Sequence, residues 1–158
     1  MSERIETAAL RDFSVSLCRA AGLSADDAAL LTDSILFAEC RGVTSHGLLR
    51  LPQYIARLRS GATASNVPMP FTMESGGTAR LDAQNGLGQL AGRKASDKAE
   101  ELAAKYGVSF VAVANSNHFG TGAWYAIPAA RRGFFAFNIS SAASAMAPHG
   151  AAQPLLGT

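Results

Sequence analysis

The sequence predicts an α/β protein: an N-terminal helical segment followed by alternating strands and helices. Apolar residues recur at three- and four-residue spacing up to Gly61, and short runs rich in valine, phenylalanine and alanine follow. Those runs alternate with helical patterns, the mark of a sheet covered by helices. The boundaries that result are a helical segment over 1–61, a connector over 62–78 and an α/β region over 79–158.

In the first segment, Leu10, Phe13, Leu17 and Ala20 mark a helix that ends at Gly22. Ser24 is a suitable N-cap for the second, with Asp26 and Asp27 in its first turn near the positive helix end. Ala29, Leu31, Ile35, Leu36 and Ala38 form its buried stripe before Gly42. A third helix opens near His46, carries Leu48, Leu51, Ile55 and Leu58, and ends at Gly61; Pro52 makes Leu51 the alternative start. The stretch ATASNVPMPFTMESGGT is connector chemistry with one short strand at 71–74. Strands are then expected at 79–83, 108–114 (buried) and 134–139. The helices between them run from Gly88 to Tyr106, closed by Gly107, and from Ala123 to Arg132, where Pro128 shortens or bends the helix. The small-residue segment from Ser140 to Thr158 reads as loop and stops without a closing element, as in the N-terminal part of a longer protein.

The 158 residues are 48% hydrophobic and 16% charged, as in a soluble globular chain. The net charge of +2 is dispersed in mixed clusters, which argues against a nucleic-acid footprint or an acidic membrane surface. A small molecule or a second copy of the chain is the expected partner. The N-terminus MSERIETAAL lacks a signal-peptide core, and no apolar run approaches the roughly 18 residues needed to span a bilayer, so the expected location is cytoplasmic. Cys18 and Cys40 lie in helical patterns among apolar neighbours and read as free, buried thiols.

Three stretches bear on chemistry. Gly86-Leu87-Gly88-Gln89-Leu90-Ala91 matches GxGxxA, but no Asp or Glu ends the following strand and Gln84-Asn85 separates strand from glycines, so a plain turn and helix start is preferred to a dinucleotide fingerprint. Asn115 to Gly122, SNHFGTG in its core, ends one strand and opens a helix, the position at which α/β proteins place ligands. Thr44-Ser45-His46-Gly47 stands at a helix entrance, where the dipole disfavours a cation and keeps an imidazole available for proton transfer. Arg50, one turn on, presents a planar fork to a carboxylate, and Ser45 bonds the ring or caps the helix. Taken alone, this stretch is equally a capped helix with a surface His and Arg. Arg57 and Arg59 read as solvated helix-end charges and His149 as a turn residue. The three histidines form no HxH or HxxxH pair, so no metal site is expected.

RGVTSHGLLRLPQYIARLRSG, SNHFGTGAWYA and AMAPHGAAQPLLGT, in this order and at these separations, resemble the malate/L-lactate dehydrogenase family of NAD(P)-dependent oxidoreductases, which extends to ureidoglycolate and sulfolactate dehydrogenases and cyclic imino-acid reductases. The resemblance covers the whole chain. It implies a homodimer of about twice this length, with a non-Rossmann fold that binds NAD or NADP, of which this chain is a truncated part. It implies that His46 moves a proton at the substrate oxygen or imine nitrogen, with Ser45 as part of a relay whose aspartate lies beyond Thr158. Arg50 grips the carboxylate of a small carboxylic-acid substrate, with Tyr54 and Thr158 as further substrate contacts. His118 is the acid/base in some members and a cofactor contact in others, and the loop His118, Phe119, Gly120, Thr121 and Gly122 lies against the cofactor. Many relatives carry Thr-Asn where this sequence has Ser140-Ser141, which implies that an amide contact near the nicotinamide is either lost or replaced by the Ser141 hydroxyl. The implied reaction is hydride transfer between the nicotinamide and C2 of a 2-hydroxy or 2-keto acid. The alternatives are a cyclic imino-acid reductase and an inactive fragment serving as a binding or dimerisation module.

Overall fold

The computed structural model of the protein describes residues 4–157; Thr158, expected to touch substrate, lies outside them. The described residues form a mixed α/β structure of five α-helices and a three-stranded sheet. Helices α1 (Thr7–Ala20) and α2 (Ala25–Glu39) pack on each other across a turn at Gly22, whose φ of 98° suits a residue without a Cβ. The Ser24 hydroxyl accepts from the Asp27 N–H at 3.2 Å, so the expected cap is present. Leu31, Ile35, Leu36 and Ala38 are buried, each large side chain contributing about 1.5–3 kcal/mol.

The buried face of α1 differs from the expected stripe. Ser14 and Cys18 face inward, Ala20 is exposed, and Phe13 is 59% exposed. Large side chains on α2 fill the core, so the seam between the helices takes small residues from α1: Cys18 Sγ meets Thr32 Oγ1 at 4.0 Å. Beside the seam Arg11 holds Asp33 through a two-pronged bond of 2.6 and 3.0 Å. Cys18 is the buried free thiol expected; Cys40, one residue past α2, is free but exposed because the helix has ended.

Two short 3₁₀ turns, Thr44–His46 and Leu48–Arg50, lead into α3 (Leu51–Arg59), which starts at the residue before Pro52. A proline lacks the N–H that a first helical turn leaves unused, so it sets the start of the helix instead of bending it. Strands β1 (Phe71–Ser75) and β2 (Thr78–Asp82) form an antiparallel hairpin through Gly76-Gly77. The chain crosses over through α4 (Gly88–Tyr106), terminated by the left-handed Gly107, and returns as β3 (Phe110–Ala114) parallel to β2. Then come the loop 115–122 and α5 (Ala123–Arg131), which contains Pro128.

Two strand expectations are corrected. β3 is not buried: Phe110 and Val113, which point to opposite faces of the strand, are both exposed, because β3 is an edge of the sheet among the described residues. Residues 134–139 form no strand. The alternation remains, with Phe134 and Ala136 half-buried and Phe135, Phe137 and Ile139 exposed, but among the described residues no strand pairs with it. Without a ladder partner, alternation alone does not make a strand.

Candidate active site

The loops that follow the parallel strands β2 and β3 lie side by side. Asn115 and Asn85, both at positive φ, turn their loops sharply, and the Asn85 N–H donates to the Asn115 carbonyl at 2.8 Å. Asn117 stitches the assembly together. Its amide nitrogen donates to the Asn85 and Gly86 carbonyls, each at 2.9 Å, and its Oδ1 accepts from Arg57 Nη2 at 2.9 Å. Arg57 also reaches Thr63 Oγ1 and the Ala62 carbonyl, so it is a structural clamp between α3 and the strand-end loop, contrary to its reading as a solvated charge. Its partner Asn117 is too distant in sequence for local pattern to reveal. Arg59 is exposed, as expected.

The glycines of the GxGxxA match serve this packing. A Cβ on Gly88 would stand 2.2 Å from the Asn117 carbonyl oxygen and 2.5 Å from that of His118, and one on Gly86 would meet the Met69 methyl at 2.3 Å. The motif lets α4 start directly beneath the 115–122 loop.

His46 lies in the first 3₁₀ turn, five residues ahead of α3, and so stands outside the reach of the α3 dipole, contrary to the expectation of a histidine at a helix entrance. Its place is set by α2. The Glu39 carboxylate accepts the Leu48 N–H at 2.8 Å, and Gly47 leaves room for it, since a Cβ there would fall 2.1 Å from Glu39 Oε2. Ser45 Oγ is 3.0 Å from His46 Nδ1, so the hydroxyl bonds the ring. Arg50 donates from Nε to the Ser45 carbonyl at 2.7 Å and from Nη1 to Gln53 Oε1 at 3.0 Å. Those bonds fix the guanidinium plane and leave its outer edge to a carboxylate.

The ring of His118 lies 5.4 Å from that of His46, centroid to centroid. The Tyr54 hydroxyl is 2.7 Å from His118 Nδ1 and accepts from Gln89 Nε2 at 2.6 Å; Tyr54 and Gln89 are buried. Burial pushes the Tyr54 phenol up to about 12, so it stays protonated at neutral pH. His118 keeps one face open to solvent, but enclosure of its inner edge, then Arg50, then His46, lowers its pKa below the usual imidazole range. Phe119 stacks on Tyr125, whose hydroxyl donates to the Phe119 carbonyl, and Gly120, at φ 81°, faces Ser34 and Gln89 in the interior. Thr121 and Gly122 stand at the entrance of α5, where the Thr121 carbonyl accepts the Trp124 N–H and the Gly122 carbonyl accepts those of Tyr125 and Ala126, each at 3.1 Å. Ser141 and His149 are on the exposed segment after α5, which touches the loop through Asn138 Nδ2 and the Gly122 carbonyl at 3.5 Å.

The structure thus gathers Ser45, His46, Arg50, Tyr54 and His118 from two distant stretches of chain. Gln89 and Arg57, which help to hold them, carry no site signal in the sequence, and Asn117, inside the 115–122 stretch read as a ligand position, is bonded to protein groups on both ends of its amide. Among the described residues, no group of three or more His, Cys, Asp or Glu side chains is placed to hold a metal ion, and no helix is long and apolar enough to cross a membrane.

Fold and site together define an α/β protein in which loops at the ends of parallel strands meet a helix entrance, bringing two imidazoles and a guanidinium to one place. The family model described as malate/L-lactate dehydrogenase matches residues 5–158, and the chain belongs to that family. It is 35% identical over 155 residues to a malate dehydrogenase of Pyrococcus abyssi, covering 98% of this chain and 43% of that protein. It is 37% identical over 137 residues to an L-sulfolactate dehydrogenase of Methanocaldococcus jannaschii, covering 87% of this chain and 40% of the relative. The solved structure of sulfolactate dehydrogenase from Methanocaldococcus jannaschii superposes with a TM-score of 0.86 at 31% identity, over 98% of this chain and 45% of that one. The chain therefore spans less than half the length of these relatives.

Proposed function

We propose that this chain carries the substrate-binding and proton-transfer part of an NAD(P)-dependent oxidoreductase that interconverts a 2-hydroxy and a 2-keto carboxylic acid. The observation that carries the reading is the convergence of Arg50, His46 and His118, three cationic or proton-bearing groups with their inner edges already hydrogen-bonded and their outer edges unengaged. Malate and sulfolactate, named in the relatives' activities, are both carboxylates with a hydroxyl on the adjacent carbon, and the groups present match those two features.

Arg50 binds the carboxylate through its outer guanidinium edge, oriented by Ser45 and Gln53. With the carboxylate anchored there, the C2 oxygen falls to the imidazoles, which donate a proton to it on reduction and hold that proton on oxidation. Ser45 keeps the His46 ring aimed. The chemistry of the 118–122 loop suits a nicotinamide cofactor: the Thr121 hydroxyl and a ring face on His118, with Ser141 as a further contact. When bound, the cofactor supplies or takes the hydride at C2.

The test is a screen of 2-keto acids and cyclic imino acids with NADH and NADPH, using the product of the complete reading frame. Arg50→Ala is expected to raise KM for every carboxylate accepted, and His46→Ala to lower kcat by ~10²-fold or more. If both variants stayed within a few-fold of the parent on an accepted substrate, the assignment would be overturned.

A further inference from the structure

We propose that Gln89 is a positioning residue: through the Tyr54 hydroxyl it holds His118 as the neutral ring with its proton on Nε2, so that His118 polarises the substrate oxygen while His46 moves the proton. The inference rests on the dehydrogenase reading above and assigns different tasks to its two imidazoles.

The hydrogens available to these groups fix their roles. The Gly120 N–H approaches His118 Nδ1 at 3.4 Å, and a backbone N–H can only donate, so Nδ1 is an acceptor. The Tyr54 oxygen, 2.7 Å from the same Nδ1, must then turn its single hydrogen toward it. That leaves only lone pairs on the Tyr54 oxygen facing Gln89, 2.6 Å away, so Gln89 must present its amide nitrogen. Turning the amide over would set two acceptors against each other at that distance. The buried Gln89 Oε1 has no partner, and the reversed amide would leave Nε2 in its place, so this atom does not favour either orientation; the Gly120 N–H decides.

Protonating His118 would put a hydrogen on Nδ1 that points at the Tyr54 hydrogen and at the Gly120 N–H. The hydroxyl could not rotate away without losing its donor from Gln89. The other charged groups near this ring, Arg50 and His46, act in the same sense, and the lowered pKa of His118 agrees. A neutral imidazole with Nε2–H outward is a hydrogen-bond donor that strengthens as negative charge develops on the substrate oxygen. His46 has no such constraint, because its Nδ1 faces a serine hydroxyl free to donate or accept.

The decisive measurement needs no substrate. In the 158-residue chain labelled with ¹⁵N at histidine, long-range ¹H–¹⁵N correlations at pH above 7 report which ring nitrogen carries the proton, with His46→Gln and His149→Gln assigning the three signals. His118 is expected to show a protonated Nε2 and a bare Nδ1; a proton on Nδ1 overturns the proposal without reference to any variant. In Gln89→Met, which keeps the volume and removes the donor, the His118 titration midpoint is expected to rise by about one pH unit, the scale of one hydrogen bond to a charged group. An unchanged midpoint in a folded variant would also overturn it. Nε2–H in a protein inactive on every 2-keto acid would remove the dehydrogenase reading alone, and turnover with Nδ1–H would remove this inference alone.

Discussion

At the scale of single residues, the site places a histidine where its cation is poorly tolerated. His118 has its inner edge enclosed by Tyr54 and Gly120, with Arg50 and His46 alongside. Its folded-state pKa therefore lies below the 6.5 of an unperturbed imidazole. The unfolded chain takes up this proton first as pH falls, and stability falls wherever the unfolded state binds more protons. The contribution of His118 is fully present above about pH 6.5, declines as pH drops toward the folded-state value, and is flat below it. Thermal unfolding of the wild type and His118→Gln across pH 5 to 8 is expected to give curves that diverge below about pH 6.5, the wild type losing more. Parallel curves would mean that the ring protonates as easily in the folded protein as outside it. Much of this site is legible in sequence at the residue scale. His46, Arg50 and His118 stand out because each sits beside a glycine turn at a helix entrance or strand end. Gln89 does not: it lies inside a glycine motif that reads as backbone chemistry, and its partner Tyr54 comes from another helix. Tyr54 enters only through the family resemblance, as an implied substrate contact, and in the structure its hydroxyl is engaged by His118 and Gln89.

At the scale of elements, the segment that carries His46 is held by the end of a different helix. Spacing places His46 and Arg50 one turn apart on a helix, and they are indeed neighbours, but through two 3₁₀ turns braced by Glu39 at the end of α2. The reason is local. Pro52 fixes where α3 can start, so the preceding residues find hydrogen bonds elsewhere, and the Leu48 N–H finds a carboxylate. Removing that acceptor leaves a part-buried N–H unpaired, a loss of ~1–3 kcal/mol. Glu39→Ala is expected to lower the unfolding midpoint and increase hydrogen exchange at Leu48, while Glu39→Gln, which retains an acceptor, recovers most of both. Equal exchange in all three proteins would show that Glu39 does not brace the turn. Helix α4 shows the opposite relation of sequence to structure. Its span from Gly88 to Tyr106 and its stop at Gly107 are fully readable, because an amphipathic repeat and a left-handed glycine are local signals. The run 134–139 alternates as a strand does and still is not one, because a strand is completed by its neighbour.

At the scale of the whole molecule, that unpaired run is one of several stretches that expose large apolar side chains. Phe135 is 94% exposed and Phe137 78%, with Ile139 and Leu155 also open, as are Phe110 in β3 and Val108 two residues before it. Scattered apolar residues on a surface are ordinary, but alternating aromatics on an unpaired extended segment, together with an open sheet edge, offer both a hydrophobic face and a row of free backbone groups. The interior does not share this weakness. One apolar cluster lies among α1, α2 and α3 around Leu31 and Ile35, and a second lies under the sheet around Leu81 and Ala91. The 158-residue chain is thus expected to fold its core and to associate through the aromatic run. Light scattering should show particle mass rising with concentration, and the double substitution Phe135→Ser, Phe137→Ser should reduce that rise several-fold while leaving the far-ultraviolet circular dichroism unchanged. The two outcomes separate cleanly. Association that persists undiminished in the double variant would place the sticky surface elsewhere, with the approach to β3 next to be tested by Val108→Lys; loss of helical signal would mean that the aromatics support the core instead of covering its outside.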